Sequence, residues 1–143
     1  MAEFMLHKAT FRIGTTAALV NLTSYVRSIT ITGQAEMLDK TAMGSSARRR
    51  ISGLKDFSVA VEFNQDQAAS KVDATLWPLI GSTAKYVLIK AKSSATHATN
   101  PVWKGNMLLP SYTPIAGGVG SLATLSVTFN GDGVITRTTA SVT

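Results

Sequence analysis

A period-two alternation runs through two stretches of this chain and fixes what they can become. In Arg27-Ser28-Ile29-Thr30-Ile31-Thr32 the apolar positions are Ile29 and Ile31, with Ser28, Thr30 and Thr32 between them. In Asp56-Phe57-Ser58-Val59-Ala60-Val61-Glu62-Phe63 the apolar set is Phe57, Val59, Val61 and Phe63, interleaved with Ser58, Ala60 and Glu62. Successive side chains of a strand face opposite sides of its sheet, so each stretch reads as a half-buried strand with one face on a core and one presented elsewhere. The joining segment, residues 33–55, is far longer than a hairpin turn requires, and connections of that length are functional or disordered. It contains Ser45-Ser46-Ala47-Arg48-Arg49-Arg50. A charged arm this large on a small β domain suggests a chain that assembles with others.

At 143 residues the chain has the size of one domain with a real core. Hydrophobic residues make up 45% and charged residues only 15%, the latter well below the roughly 25% of ordinary soluble domains. Two surfaces fit that balance: one largely covered by neighbouring subunits, or an uncovered one rich in hydroxyls. The absence of cysteine excludes a disulfide framework, a thiolate metal site and a cysteine nucleophile. Residues 1–8 carry Glu3 and no continuous apolar run, so they do not read as a signal peptide. No stretch approaches the ~20 apolar residues that span a bilayer, and a soluble protein is expected. The formal charge of +6 favours nucleic acid or an acidic protein face as partner. The basic residues are nevertheless dispersed, apart from Arg48-Arg49-Arg50 and the group Lys85, Lys90 and Lys92.

The rest of the chain continues the β pattern. Residues 1–20, with Phe4, Leu6, Phe11 and Ile13 as apolar members before Gly14-Thr15-Thr16, read as a first strand or an arm that pairs with another subunit. Asn64 or Asp66 is a candidate N-cap for a helix whose apolar stripe is Ala68, Ala69, Val72, Leu76 and Leu79 or Ile80, stopped by Pro78 and closed by Gly81. A buried strand over 85–91, a polar loop over 93–100 and a strand over 101–109 follow. Residues 110–120 are irregular. Residues 122–139 read as a hairpin reversing at Asn130-Gly131-Asp132-Gly133. The expected architecture is mainly β: a β-sandwich or partly closed barrel with one flanking α-helix and a long inter-strand arm, forming a single domain over 1–143.

Catalysis needs convergent titratable groups, and the chain is short of them. His7 lies near the start and His97 in a polar loop, neither with a second ligand at metal-binding spacing. Gly117-Gly118-Val119-Gly120 lacks the Lys-Ser/Thr ending of a phosphate loop and reads as a turn where backbone crowds a neighbour. Trp77 and Trp103 could stack a sugar or a base, but core or interface packing is the expected role of both. No catalytic, cofactor-binding or metal-ligating residue is assigned, and the expected protein is not an enzyme.

Thr41-Ala42-Met43-Gly44, then Arg48-Arg49-Arg50-Ile51-Ser52-Gly53-Leu54-Lys55-Asp56 and Val61-Glu62-Phe63-Asn64-Gln65-Asp66, resemble the major tail (tail tube) proteins of long-tailed bacteriophages. Later pieces agree in order: Val72-Asp73 with Leu76-Trp77, Asn100-Pro101 before a strand, and residues 117–127 leading into Asn130-Gly131-Asp132-Gly133. The resemblance spans residues 19–138. It implies a subunit of hexameric rings stacked into a hollow tube that conducts DNA during ejection, located in the virion tail and made in the host cytoplasm. Its implied partners are other copies of itself, the tape-measure and other tail proteins and, transiently, passing DNA, with no membrane and no cofactor. On that reading Ser28, Thr30, Thr32, Ser58, Ala60 and Glu62 line the lumen, a hydrated surface to which DNA does not adhere. Residues 34–54 form an assembly arm, ordered on assembly, whose candidate contacts are Met43, Arg48, Arg49, Arg50 and Leu54. The reading requires Lys85, Lys90 and Lys92 to lie off the lumen, because each phosphate contact adds affinity. Two alternatives stand beside it. One is a basic β-barrel module binding nucleic acid or glycan through Trp77, Trp103 and the arginine arm. The other is a ring-forming tail accessory or connector protein.

Overall fold

A computed structural model describes residues 9–15, 18–92, 96 and 100–140. Eight strands form one sheet: β1 (Thr10–Thr15), β2 (Ala18–Asn21), β3 (Val26–Asp39), β4 (Arg50–Asn64), β5 (Lys85–Lys90), β6 (Val102–Leu108), β7 (Thr124–Gly131) and β8 (Thr136–Thr138). Their spatial order is β2-β1-β5-β6-β7-β4-β3, with β8 also on β6, and every ladder is antiparallel. The sheet curls. Phe11 of β1 and Phe63 of β4 are separated by three intervening strands, about 19 Å in a flat sheet at the usual strand spacing, yet their rings meet edge-on at 5.5 Å. Phe129 of β7 packs on Phe11 at 5.9 Å. The core is therefore enclosed between two wings of the same sheet. The end strands β2 and β3 do not pair with each other, so the expected sandwich or partly closed barrel resolves to a curled sheet that is not closed into a barrel.

The first 20 residues divide accordingly. β1 and β2 form a hairpin within the sheet, while residues 1–8, including Phe4, Leu6 and His7, lie outside the described residues. Gly14 makes that hairpin possible. Its φ is +151°, and a Cβ there would sit 2.4 Å from the Ala18 carbonyl oxygen.

Four expectations need correction. The inter-strand arm is not a loop over residues 33–55, because β3 and β4 continue pairing from Gln34↔Asp56 to Asp39↔Arg50. Only residues 40–49 remain as connection. The helix is much shorter than its stripe suggests: α1 covers Val72–Leu76, followed by a 3-10 turn at Trp77–Leu79. Asn64 ends β4, and Asp66 organises a turn instead of capping, accepting the Ala68 amide at its side chain (2.9 Å) and the Asp73 amide at its carbonyl (3.1 Å). Ser70 then takes φ +62°, a left-handed conformation that no helix continues through.

Asn130-Gly131-Asp132-Gly133 does not reverse the chain. β7 and β8 run in one direction along the same edge of β6, with Asn130 opposite Leu108 and Thr138 opposite Val102. Eight residues advance while the partner advances six, so the segment is a bulge, pinned by the Asp132 amide on the Asn106 carbonyl at 2.9 Å. β6 meets β7 only at Asn130 and Gly131, and the chain keeps following β6 to Thr136–Thr138 instead of turning back along β7. Lastly, Gly117 and Gly120 do not meet crowding backbone. Each faces open space with a positive φ, so conformation explains them.

Candidate assembly surface

Register places the hydroxyl-bearing residues of three adjacent strands in rows. Ser28, Glu62 and Ser126 form one row, Thr30, Ala60 and Thr128 the next, and Thr32, Ser58 and Asn130 the third. The opposite face repeats this with Ile29, Val61 and Val127, then Ile31, Val59 and Phe129. Period-two alternation in all three strands is what keeps the faces separate. Ser58 and Glu62 are half-buried, and the other members of the polar face are exposed. Sequence reasoning named the six β3 and β4 residues but missed Ser126, Thr128 and Asn130, although the alternation of β7 carried the same signal.

The one charged member of these nine positions is Glu62, which accepts a hydrogen bond from Arg27 Nη1 at 3.1 Å. No lysine is among them. Lys85 lies opposite Met107, a core residue, at the start of β5. Lys90, 8% exposed, ends that strand, and Lys92 lies beyond it. Burial first, and the charge of Arg12 second, lower the pKa of the Lys90 ammonium from its ordinary value. Strand β6 separates β5 from the three strands of the hydroxyl face.

The arm extends from the same strands. β7 stops pairing with β4 at Ser58↔Asn130, so β3 and β4 run on beyond it without a third strand. Six residues of β3, from Gln34 to Asp39, make a projection of about 20 Å at the usual strand rise. Met37, Leu38, Met43, Ile51 and Leu54 are all exposed on this ribbon and its tip, Leu54 at 83%. Of these, Met37, Leu38 and Ile51 were not anticipated, because an arm read as loop offers no pattern by which to rank apolar residues. The tip is internally braced. Arg48 Nη1 donates to Asp39 Oδ2 at 2.9 Å, the Thr41 amide donates to Asp39 Oδ1 at 2.8 Å, and the Arg49 amide donates to the Thr41 hydroxyl at 2.8 Å. The Thr41 hydroxyl first, then its amide and finally Arg48 hold the Asp39 carboxyl below its ordinary pKa. Arg49 and Arg50 are exposed.

At the other end of β4 a partly buried polar chain ties the 110–122 segment down. Gln65 Nε2 donates to the Tyr112 hydroxyl at 2.9 Å and to the Pro114 carbonyl, and the Tyr112 hydroxyl donates to Asp73 Oδ1 at 3.0 Å. Burial chiefly raises the Tyr112 pKa. Trp77, expected in a core or interface, is 58% exposed and packs edge-on against Tyr112 at 6.3 Å. Trp103 is half-buried in a cleft of about 470 Å³ at the open seam of the sheet. Ile29, Ile31 and Phe57 wall the cleft on one side, and Ile89, Trp103 and Ile135 on the other. Among the described residues no three or more His, Asp or Glu side chains gather as a metal site, and His97 lies outside them.

No protein-family profile and no curated protein matches this chain. Solved structures do. A chain in the tail of an empty gene transfer agent particle with C6 symmetry superposes at a TM-score of 0.71 with 15% identity, covering 92% of this chain and 96% of its own. A chain of the extended PVC sheath–tube complex, an extracellular contractile injection system, gives 0.69 with 12% identity, covering 96% and 93%. A chain in the cap that terminates the anti-feeding prophage tube gives 0.65 with 13% identity, covering 96% and 93%. The fold is thus one shared with chains of virion tails and injection-system tubes, over nearly the whole length of each.

Proposed function

We propose that this protein is a virion structural subunit that self-associates into rings, six-membered by analogy with the C6 tail, stacked into a tube that conducts DNA. The observation that carries this reading is the β3–β4 ribbon. A two-stranded ribbon is marginal in water by itself, and this one adds five exposed large apolar side chains and the basic stretch Arg48-Arg49-Arg50. A second copy supplies what such an element lacks: apolar surface for Leu54 and its neighbours, and carboxylates for Arg49 and Arg50. Among the described residues no strand pairs the outer edge of β3, and that edge also calls for a partner, because strand edges left open template uncontrolled pairing.

In this reading the nine-residue hydroxyl face lines the bore. Its one carboxylate is neutralised by Arg27, so the wall is hydrated and close to uncharged. Phosphates sliding past it meet no fixed cation among those nine positions, which keeps passage from becoming binding. Contact with a tape-measure protein during assembly belongs to the same surface. The protein acts by shape and surface chemistry, with no catalytic step.

Negative-stain electron microscopy with light scattering on the purified protein tests the reading. Six-membered rings or hollow tubes are the expected result. Particles that stay monomeric over a wide concentration range, even with a tail initiator complex added, and that bind DNA with steep salt dependence, would instead identify a basic binding module.

A further inference from the structure

The chain between Tyr112 and β7 forms a loop with both feet on one residue. The Gln65 side-chain amide donates to the Pro114 carbonyl at 2.6 Å, and the Gln65 backbone amide donates to the Ala123 carbonyl at 3.0 Å. Ends held this close make a compact surface loop, an element that frequently carries function. Residues 114–122 hold no charged side chain, and Ile115, Val119 and Leu122 are all exposed. Gly117 and Gly120 face open space, so among the described residues the crown of the loop is not covered by its own subunit. Trp77, also exposed, extends this apolar surface at the root through its contact with Tyr112. Contiguous exposed apolar surface of this kind marks a place where another molecule binds.

We propose that this loop is the surface on a second copy that receives the β3–β4 ribbon, a contact that rests on the self-assembly reading above and gives it a second side. The two surfaces lie at opposite ends of β4. Gln65 follows directly on Asn64, the last residue of that strand, whereas the ribbon is built on its first residues. The fifteen residues of β4 separate them by up to about 50 Å. A subunit therefore cannot lay its ribbon on its own loop. Two unlike surfaces facing opposite ways make a heterologous contact: each added copy leaves one ribbon and one loop free, so growth continues along an axis instead of closing as a pair. The chemistry of the two ends is complementary. Met43 and Leu54 on the ribbon find apolar counterparts in Ile115, Val119 and Leu122. Residues 34–55 carry Lys40, Arg48, Arg49, Arg50 and Lys55 against Glu36 and Asp39, a surplus of cations. The loop adds none, and the half-buried carboxylates of Asp66 and Asp73 stand at its feet, Asp73 holding the Tyr112 hydroxyl. The nearby Lys71 ammonium lies over the Tyr25 ring at 5.9 Å.

The absence of native cysteine makes the contact directly readable. Leu54→Cys and Val119→Cys, made as separate proteins, are treated with a short bismaleimide, each alone and the two mixed in equal amounts. The mixture is expected to give covalent dimers containing one of each, while each protein alone stays mainly monomeric in denaturing electrophoresis. Dimers from Leu54→Cys alone would show ribbon packing on ribbon, and a mixture without dimers would show that the ribbon meets some other surface. Either result overturns the proposal. A second measurement reads the loop without cross-linking. Ile115→Asp combined with Val119→Asp alters two exposed side chains, so circular dichroism should be unchanged, while the protein concentration needed for tube growth should rise roughly tenfold or more. Ile115→Val combined with Val119→Ile should grow tubes at the wild-type concentration. Tubes from the aspartate variant at that concentration would overturn the proposal and leave the tube reading standing. Mixed dimers from a protein that forms neither rings nor tubes would do the reverse, retaining the ribbon–loop contact and removing the tube.

Discussion

Phe63 shows how much one position can carry. It ends the apolar run of β4, is completely buried, and meets Phe11 across the fold of the sheet. Phe63→Ala removes a ring that both wings share, and should cost about 3–5 kcal/mol in chemical denaturation, the usual range for a buried aromatic truncated to alanine. Asp39 acts at the other extreme, on the surface. Its carboxyl is held below 3.8 by the Thr41 hydroxyl, the Thr41 amide and Arg48, so their bracing of the arm tip is complete above that value and is lost as pH falls through the lower folded-state pKa. Amide exchange across residues 40–49 should therefore accelerate on acidification below pH 3.8, before the sheet opens. Thr41→Val should bring that acceleration to higher pH. Both residues could be singled out from sequence only in part. The alternation marks Phe63 as core, but Asp39, beside Thr41 in the chain, gains its Arg48 partner only because the hairpin returns that residue to it.

At the scale of elements, strands were the most legible and connections the least. β3, β4 and β5 follow from alternation or a continuous apolar run, whereas β6 buries Val102 and Met107, of opposite parity, and leaves Trp103 half-buried, so no simple alternation marks its core. The helix was overextended because a three-and-four stripe does not reveal the left-handed Ser70 that ends helical continuity before Val72. The Asn-Gly-Asp-Gly segment has the residues of a hairpin turn, yet the chain after it pairs with β6, a distant strand, a tertiary fact that overrides local preference. On the proposed function, the arm is the element that matters for assembly. Replacing Arg48, Arg49 and Arg50 together with serine should leave a folded subunit, with unchanged circular dichroism, that forms few or no tubes by electron microscopy. Normal tubes from that variant would remove the arginines from the assembly contact. Loss of the Arg48–Asp39 bond alone does not predict such a failure, since exposed ion pairs contribute little to folding.

For the whole molecule, the consequential property is that one sheet has two unlike surfaces. Thr30→Lys, at the centre of the hydroxyl face and away from the core, should leave folding and tube formation intact while reducing infectivity of virions built from it. A cation repeated in every ring would retain passing phosphates, and the defect should ease as ionic strength rises during ejection in vitro. Full infectivity of the variant would take that face out of the bore. Sequence by itself determined which residues are apolar in alternation, hence the β class, the core residues of β3 and β4 and the six polar residues opposite them, because side-chain period is a local property of an extended chain. It also determined that an unusually long insertion separates those strands. Only the tertiary structure decided that the insertion is largely a continuation of the two strands, that β7 adds a third row to the hydroxyl face, and that the sheet curls to bring Phe11 onto Phe63 while leaving a seam open. Those outcomes depend on which edges are vacant when distant strands meet, and no local pattern records that.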